Sequence, residues 1–176
     1  DSVAYFMDPI FISGPESAPN WRTVFDMLPP AVALRIRGLV SDGLRGMKEL
    51  AASKGWVYQR CHYHLWALLR PWMWILRREG AGAILDAVSV SLTAPERESA
   101  EAARVCLRTY VTANPGGVSG VLNQLLRDWA AARGHLDHPD LQIPTTTNAV
   151  ESMHRLMRDS LSGTNRSCRS CHPCPH

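Results

Sequence analysis

Residues 36–43 read Ile36-Arg37-Gly38-Leu39-Val40-Ser41-Asp42-Gly43, a short apolar segment that ends in an aspartate and a glycine. The apolar residues predict a strand with Asp42 at its carboxyl end, where open α/β sheets usually hold ligands. A helical pattern follows and ends at Gly55, and residues 56–59 read as a second strand. Strand, helix and strand within about twenty-five residues predict a βαβ unit with two parallel strands in a covered sheet. The expected fold class is therefore α/β.

Composition and charge narrow the class of protein. The 176 residues carry 19 Lys and Arg against 16 Asp and Glu, a formal net charge of +3. This charge permits binding to nucleic acid without requiring it. No apolar run reaches the length of a membrane span, so no membrane partner is expected. Five cysteines, an odd number, do not resemble a secreted disulfide framework and favour a reducing cytoplasm. The start, with neither an initiator methionine nor a signal peptide, suggests a cut into a longer chain.

The helical pattern changes the organisation of the chain from residue 61 onward. Residues 61–140 carry successive helical patterns without a convincing strand, which predicts an all-helical insertion after the N-terminal part of the core, residues 1–60. Residues 141–161 are expected to return to the core and to form a last amphipathic helix from near Asn148. Residues 162–176 form an irregular tail rich in cysteine.

Asp42 and Glu151 are the candidate functional carboxylates. They lie far apart in the chain, one at a strand end and the other in the first turn of a helix, with the helical insertion between them. Carboxylates in such positions clamp Mg²⁺ for phosphoryl transfer. Both residues also have ordinary explanations. Asp-Gly after a strand is a common turn, and Glu151 is placed to form a capping box with Asn148 or an ion pair with Arg155.

Three short blocks of sequence change this balance. They are Val40-Ser41-Asp42-Gly43-Leu44-Arg45-Gly46, Gln59-Arg60-Cys61-His62-Tyr63-His64-Leu65 and Thr146-Thr147-Asn148-Ala149-Val150-Glu151-Ser152. Their order and intervals closely resemble those of the mutator-type transposases, which are insertion-sequence enzymes of the DDE class with an RNase H-like fold. The family pattern is a strand ending in Asp-Gly, a downstream Gln-Arg-Cys-x-x-His, and Thr-Asn-x-Ile/Val-Glu at a helix start. The resemblance covers residues 3 to about 160.

This resemblance implies a fold and the roles of single residues. The fold would be an incomplete RNase H-like core, a mixed sheet with flanking helices, with an all-helical insertion. Asp42 resembles the second catalytic aspartate and Glu151 the catalytic glutamate, both as ligands of Mg²⁺ or Mn²⁺. Cys61 and His64 resemble the Cys-x-x-His signature that follows the second aspartate. The first catalytic aspartate is expected upstream of residue 1, so these 176 residues alone are expected to be inactive.

The same resemblance implies the partners. The full enzyme would cut DNA at transposon ends by Mg²⁺-dependent hydrolysis and join the 3′-hydroxyls to target DNA, as a homo-oligomer in a bacterial cytoplasm. Arg60, Arg155 and Arg158 are the expected DNA contacts. Gly43 and Asn148 are expected to support the two carboxylates.

Two other classes of function stay open. In a non-catalytic DNA-binding or regulatory remnant of a transposase, Asp42 would be only a turn and Glu151 only a cap. In a zinc-binding nucleic-acid module, Cys61 and His64 would be joined by His135 and His138, or the tail would bind the metal. Closely spaced tail ligands with prolines between them close one tetrahedron poorly, so zinc is not expected. The plainer role of Cys61 and His64 is to pack beneath the carboxylates and orient them.

Overall fold

Two short strands and a series of helices make up the part of the chain that the structure, a computed structural model, describes: residues 10–78, 82–147 and 151–152. In chain order the elements are α1 (Ala18–Asp26), α2 (Pro30–Ala33), β1 (Gly38–Ser41), α3 (Met47–Ser53), β2 (Val57–Arg60), α4 (His62–Leu69), a 3₁₀ turn (Arg70–Trp72), α5 (Met73–Arg78), α6 (Gly82–Thr93), α7 (Arg97–Ala113), α8 (Val118–Ala132), α9 (Gly134–Asp137) and a second 3₁₀ turn (Pro139–Leu141). The described residues are thus mixed helix and strand, and mostly helical.

The predicted βαβ unit is present. Strands β1 and β2 pair in parallel, from Gly38 opposite Val57 to Ser41 opposite Arg60. Helix α3 connects them and buries one side, on which Met47 and Leu50 lie. The α/β prediction is therefore confirmed to the extent that the described residues combine helices with a two-stranded parallel sheet. The predicted boundaries were too generous, because β1 begins at Gly38 rather than at residue 36.

The helices after β2 enclose the larger apolar core. Helices α4 to α8 contribute its buried side chains, among them Leu65, Leu92, Leu107 and Leu122. Between residue 61 and residue 141 the described residues form helices and contain no strand. No helix in the described part of the chain has both the length and the apolar character that crossing a membrane requires.

Buried polar side chains tie the carboxyl end of β2 to the end of α8. Gln59 Nε2 donates to the carbonyls of Ala132, at 2.9 Å, and of Arg60, at 2.7 Å, while its Oε1 accepts the backbone N–H of His135 at 2.9 Å. His62 Nε2 donates to the same Ala132 carbonyl at 2.7 Å. Its ring meets that of His135 edge-on, with centroids 5.1 Å apart, and we call these two residues the histidine pair. The bonds satisfy the carbonyl at the end of α8. They also hold helices α4 to α8, which we call the helical segment, against the sheet.

The return segment begins at residue 141, and its described residues 141–147 cross the amino end of α4. The backbone N–H of His62 donates to the Thr145 carbonyl at 2.8 Å, and buried Ile143 lies in the space beside Gly38 of β1. The short helix α9 and the second 3₁₀ turn come immediately before this segment. Of the predicted last helix, the structure describes Glu151 and Ser152, which are helical. The tail, residues 162–176, lies outside the described residues.

Candidate functional site

Asp42 stands immediately after β1, in a turn built by its neighbours. Its Oδ1 accepts the backbone N–H of Leu44 at 3.1 Å, and the N–H of Gly43 donates to Ser41 Oγ at 3.2 Å. Gly43 has φ +95°, a backbone conformation that favours glycine. The side chain of Asp42 is exposed. The turn therefore uses one carboxylate oxygen and leaves the other able to bind a ligand.

Glu151 is held by two side chains, that of Thr147 one helical turn earlier and that of His64 on α4. The hydroxyl of Thr147 donates to Glu151 Oε1 at 2.8 Å, and His64 Nε2 lies 3.5 Å from the same oxygen. The backbone N–H of Glu151 also donates to the Thr147 carbonyl at 3.1 Å, which is one turn of helix. The carboxylate is about one-third exposed. It is thus fixed in direction while still reachable from solvent.

Asp42 and Glu151 line the same cavity, whose volume is about 340 Å³. His64 and Thr147 line it as well, and a third carboxylate, Glu16, comes from the loop before α1. Glu16 accepts the indole N–H of Trp21 at 3.1 Å. Sequence reasoning did not select Glu16, because nothing in its local pattern links it to residues in β1 or in the return segment. Apolar side chains complete the wall of the cavity; they include Trp21, Phe25, Leu39, Val40, Leu44 and Met47.

Cys61 anchors the return segment beneath Glu151. Its side chain is fully buried, its Sγ accepts the backbone N–H of Thr147 at 3.4 Å, and the Thr147 hydroxyl lies 3.5 Å away. Burial raises the pKa of the Cys61 thiol, but hydrogen bonds with Thr147 and His64 outweigh burial and bring the pKa below its usual value. Cys61 acts on Glu151 through Thr147, and His64 contacts Glu151 directly. The expected role of the two residues, to orient a carboxylate, stays a prediction.

The zinc alternative finds no support in this geometry. Within residues 10–78, 82–147 and 151–152, no three His, Cys, Asp or Glu side chains are grouped to hold a metal ion. His135, proposed to complete a zinc site with Cys61 and His64, instead contacts Gln59 and His62. The cysteines of the tail lie outside the described residues.

Arg60 is placed differently from expectation. It was expected to contact DNA, but its side chain is only 4% exposed, and its Nε lies 3.2 Å from Asp128 Oδ2 on α8. A guanidinium that is buried in an ion pair is not available to a phosphate, so a structural role replaces the expected one. The other expected DNA contacts, Arg155 and Arg158, and the expected support residue Asn148 lie outside the described residues.

Comparisons with protein-family models, with curated proteins and with solved structures find no match to this chain. The relation to transposases therefore stays a prediction drawn from the three sequence blocks.

Proposed function

We propose that this chain is part of the catalytic domain of a DDE transposase of the mutator type. The observation that carries the proposal is that Asp42 and Glu151, distant in sequence, line one cavity. Had the two carboxylates faced opposite sides of the sheet, they could not share a ligand. Two carboxylates that line one cavity at the carboxyl end of a parallel strand would suit a phosphoryl-transfer site of this class.

The arrangement of the chain supports the same proposal. A parallel βαβ unit comes first, a helical segment follows, and the chain then returns to the end of β2. In an RNase H-like enzyme with a helical insertion, the second aspartate and the glutamate would flank that insertion in this order. The RNase H-like core itself is part of the proposal, since β1 and β2 are its only strands among the described residues.

The donor atoms suit Mg²⁺ or Mn²⁺ in kind. Both are hard cations that prefer carboxylate oxygens, which Asp42 and Glu151 supply. When bound, the cation would activate a water or a 3′-hydroxyl and stabilise the leaving oxygen. Because the described residues contain no group of three ligand side chains, we expect these two carboxylates by themselves to bind the cation weakly. We expect no strand transfer from the isolated 176 residues.

The chain's own residues prepare the site for this chemistry. The turn after β1 holds Asp42 by its Oδ1 and keeps Oδ2 free. Thr147 and His64 hold Glu151 by its Oε1, which limits the directions in which its other oxygen points. Fixing both ligands before the cation arrives reduces the conformational entropy lost on binding. The proposed partners are DNA at transposon ends and at the target, and a second copy of the enzyme in a bacterial cytoplasm.

Iron-directed cleavage tests the site on this chain. Fe²⁺ substitutes for Mg²⁺ at carboxylate sites and, with ascorbate and peroxide, cuts the backbone near its ligands. We expect cuts near residue 42 and near residue 151, suppressed by excess Mg²⁺ and lost in Asp42→Asn and Glu151→Gln. Asp140→Asn, in the exposed 3₁₀ turn, is the matched control. Unchanged backbone cleavage in both Asp42→Asn and Glu151→Gln would refute the proposed metal site.

A non-catalytic DNA-binding or regulatory protein is the second candidate function. The bond from Leu44 to Asp42 and the bond from Thr147 to Glu151 are what a turn and a helix start would use without any chemistry. This candidate predicts DNA binding that is unaffected by Mg²⁺ and by Asp42→Asn. The transposase proposal predicts that DNA carrying its terminal sequence binds more tightly with Mg²⁺ than without it.

A further inference from the structure

An ion pair with a nearly buried guanidinium joins the turn that carries Asp42 to helix α8. Arg60, the last residue of β2, and Asp128, on α8, are 68 positions apart, and Arg60 Nε lies 3.2 Å from Asp128 Oδ2. The Arg60 side chain is 4% exposed, whereas that of Asp128 is 34% exposed. A nearly buried guanidinium requires a partner, because an unpaired charge out of water is strongly unfavourable. Asp128 is that partner.

The same guanidinium lies directly against the turn. A Cβ added to Gly43 would lie 2.2 Å from Arg60 Cζ, so the guanidinium occupies the space that a side chain would need. One of its terminal nitrogens donates to the Ser41 carbonyl at 3.5 Å. Arg60 therefore contacts the residue before Asp42 and the residue after it. A shift of the guanidinium therefore changes the contacts of the turn that holds the Asp42 carboxylate.

We infer that Asp128 is a positioning residue for Asp42 and that it acts through Arg60. The helical segment thereby sets the direction of a carboxylate that lies outside it. Neither residue touches the cation in this proposal. Their effect is on the turn, in the way that outer partners of metal ligands fix ligand orientation. The part of this inference that concerns metal binding rests on the proposed function, whereas the coupling between α8 and the turn does not.

The coupling is tested first, without metal. The amide of Leu44 donates to Asp42 Oδ1, so its NMR chemical shift reports the geometry of the turn. In Asp128→Asn, which keeps the shape of the side chain and removes the charge, we expect this amide and that of Gly43 to shift. Asp137→Asn is the matched control, because Asp137 pairs with exposed Arg97 at 3.9 Å. A folded Asp128→Asn whose Leu44 amide does not move would overturn the inference.

Metal affinity is tested second, by Mn²⁺ binding followed with electron paramagnetic resonance. We expect Asp128→Asn to weaken Mn²⁺ binding by about tenfold, as outer-partner substitutions do, and Asp137→Asn to leave it unchanged. If Asp42→Asn abolishes binding but Asp128→Asn has no effect, the positioning role is wrong. If the wild-type chain shows no binding that depends on Asp42 while the Leu44 amide still shifts, the coupling stands and the proposed function fails.

A second variant, Asp128→Glu, tests the same inference if Asp128→Asn does not fold. Asp128→Glu keeps the charge and lengthens the side chain by one methylene, which displaces the guanidinium without unpairing it. The same two measurements are expected to shift in the same direction, with a smaller loss of affinity. Unchanged Leu44 and Gly43 amides in this variant would also overturn the inference.

Discussion

Replacing Gln59 with methionine tests why a polar residue lies at the centre of the contact between β2 and the helical segment. Gln59 is fully buried, and its amide makes four hydrogen bonds, two as a donor and two as an acceptor. Methionine has nearly the same length and no polar hydrogen. The substitution therefore removes the bonds and preserves most of the packing.

The expected loss of stability follows from what each partner keeps. The Ala132 carbonyl still accepts from His62, so it stays paired. The backbone N–H of His135 loses its acceptor, a loss that destabilises by about 1–3 kcal/mol when the group is buried. The lost bond to the Arg60 carbonyl adds about 1 kcal/mol. We expect Gln59→Met to lower the free energy of unfolding by about 3 kcal/mol.

Urea denaturation followed by tryptophan fluorescence measures this loss. With a slope of about 2 kcal/mol per molar urea, the midpoint should fall by about 1.5 M while the slope stays the same. Gln124→Met, on a half-buried position of α8, is the matched control and should change stability by less than about 0.5 kcal/mol. A loss below about 1 kcal/mol for Gln59→Met would refute the reasoning that the amide bonds hold β2 to the helices.

Three further substitutions test the turn, the site and the histidine pair. Gly43→Ala should destabilise the chain by about 3 kcal/mol, because its Cβ would overlap the buried guanidinium at φ +95°; Gly55→Ala, at φ +71° in open space, should lose only about 1–2 kcal/mol in the same urea assay. Thr147→Val should raise the pKa of the Cys61 thiol, since hydrogen bonds with Thr147 lower it, and ultraviolet thiolate absorbance against pH measures this. Burial lowers the pKa of both residues of the histidine pair, so in acid the unfolded chain binds more protons than the folded chain. The free energy of unfolding should therefore fall as the pH drops below about 6.5. His135→Gln should make that fall shallower in urea titrations across this pH range.

Each of these expectations has a control and a contradicting result. If Gly43→Ala and Gly55→Ala lose the same stability, backbone strain explains both losses and overlap with the Arg60 guanidinium adds nothing. The thiol measurement uses a chain in which the other cysteines are replaced by serine, so that only Cys61 titrates. Thr112→Val on α7 is the control. An unchanged Cys61 pKa in Thr147→Val would show that the hydrogen bond from the Thr147 side chain does not lower it. His138→Gln, at an exposed position, should keep the wild-type pH dependence. If it flattens the curve as much as His135→Gln, the histidine pair is not the cause.

The local elements were largely predictable from sequence because short-range chemistry determines them. The apolar run before Asp42, the glycines around the turn and Gly55 after α3 are features of neighbouring residues, and they predicted the parallel unit that the structure contains. The succession of helices after residue 61 follows from apolar spacing of the same short range. The exact start of β1 was less predictable, because its ladder of hydrogen bonds depends on where β2 pairs with it.

The roles of the residues in the second sequence block needed the tertiary structure. The Gln-Arg-Cys-x-x-His pattern suggested a catalytic signature and a DNA-contacting arginine. In the structure, Gln59 contacts the end of α8, Arg60 pairs with Asp128 rather than facing solvent, and Cys61 contacts Thr147. Their partners lie more than sixty positions away, so no local pattern could identify them.

By itself, the sequence determined that the described residues combine helices with a parallel pair of strands, since this depends on residue type and short spacing. It singled out the two carboxylates only through the resemblance of three sequence blocks to one family. Only the tertiary structure decided that Asp42 and Glu151 share a cavity, that Glu16 joins them there, and that Arg60 faces inward. The physical reason is that burial and long-range pairing depend on which surfaces pack together. A residue's charge and its neighbours in the chain leave that choice open, and here the packing of α8 and the return segment against β2 makes it.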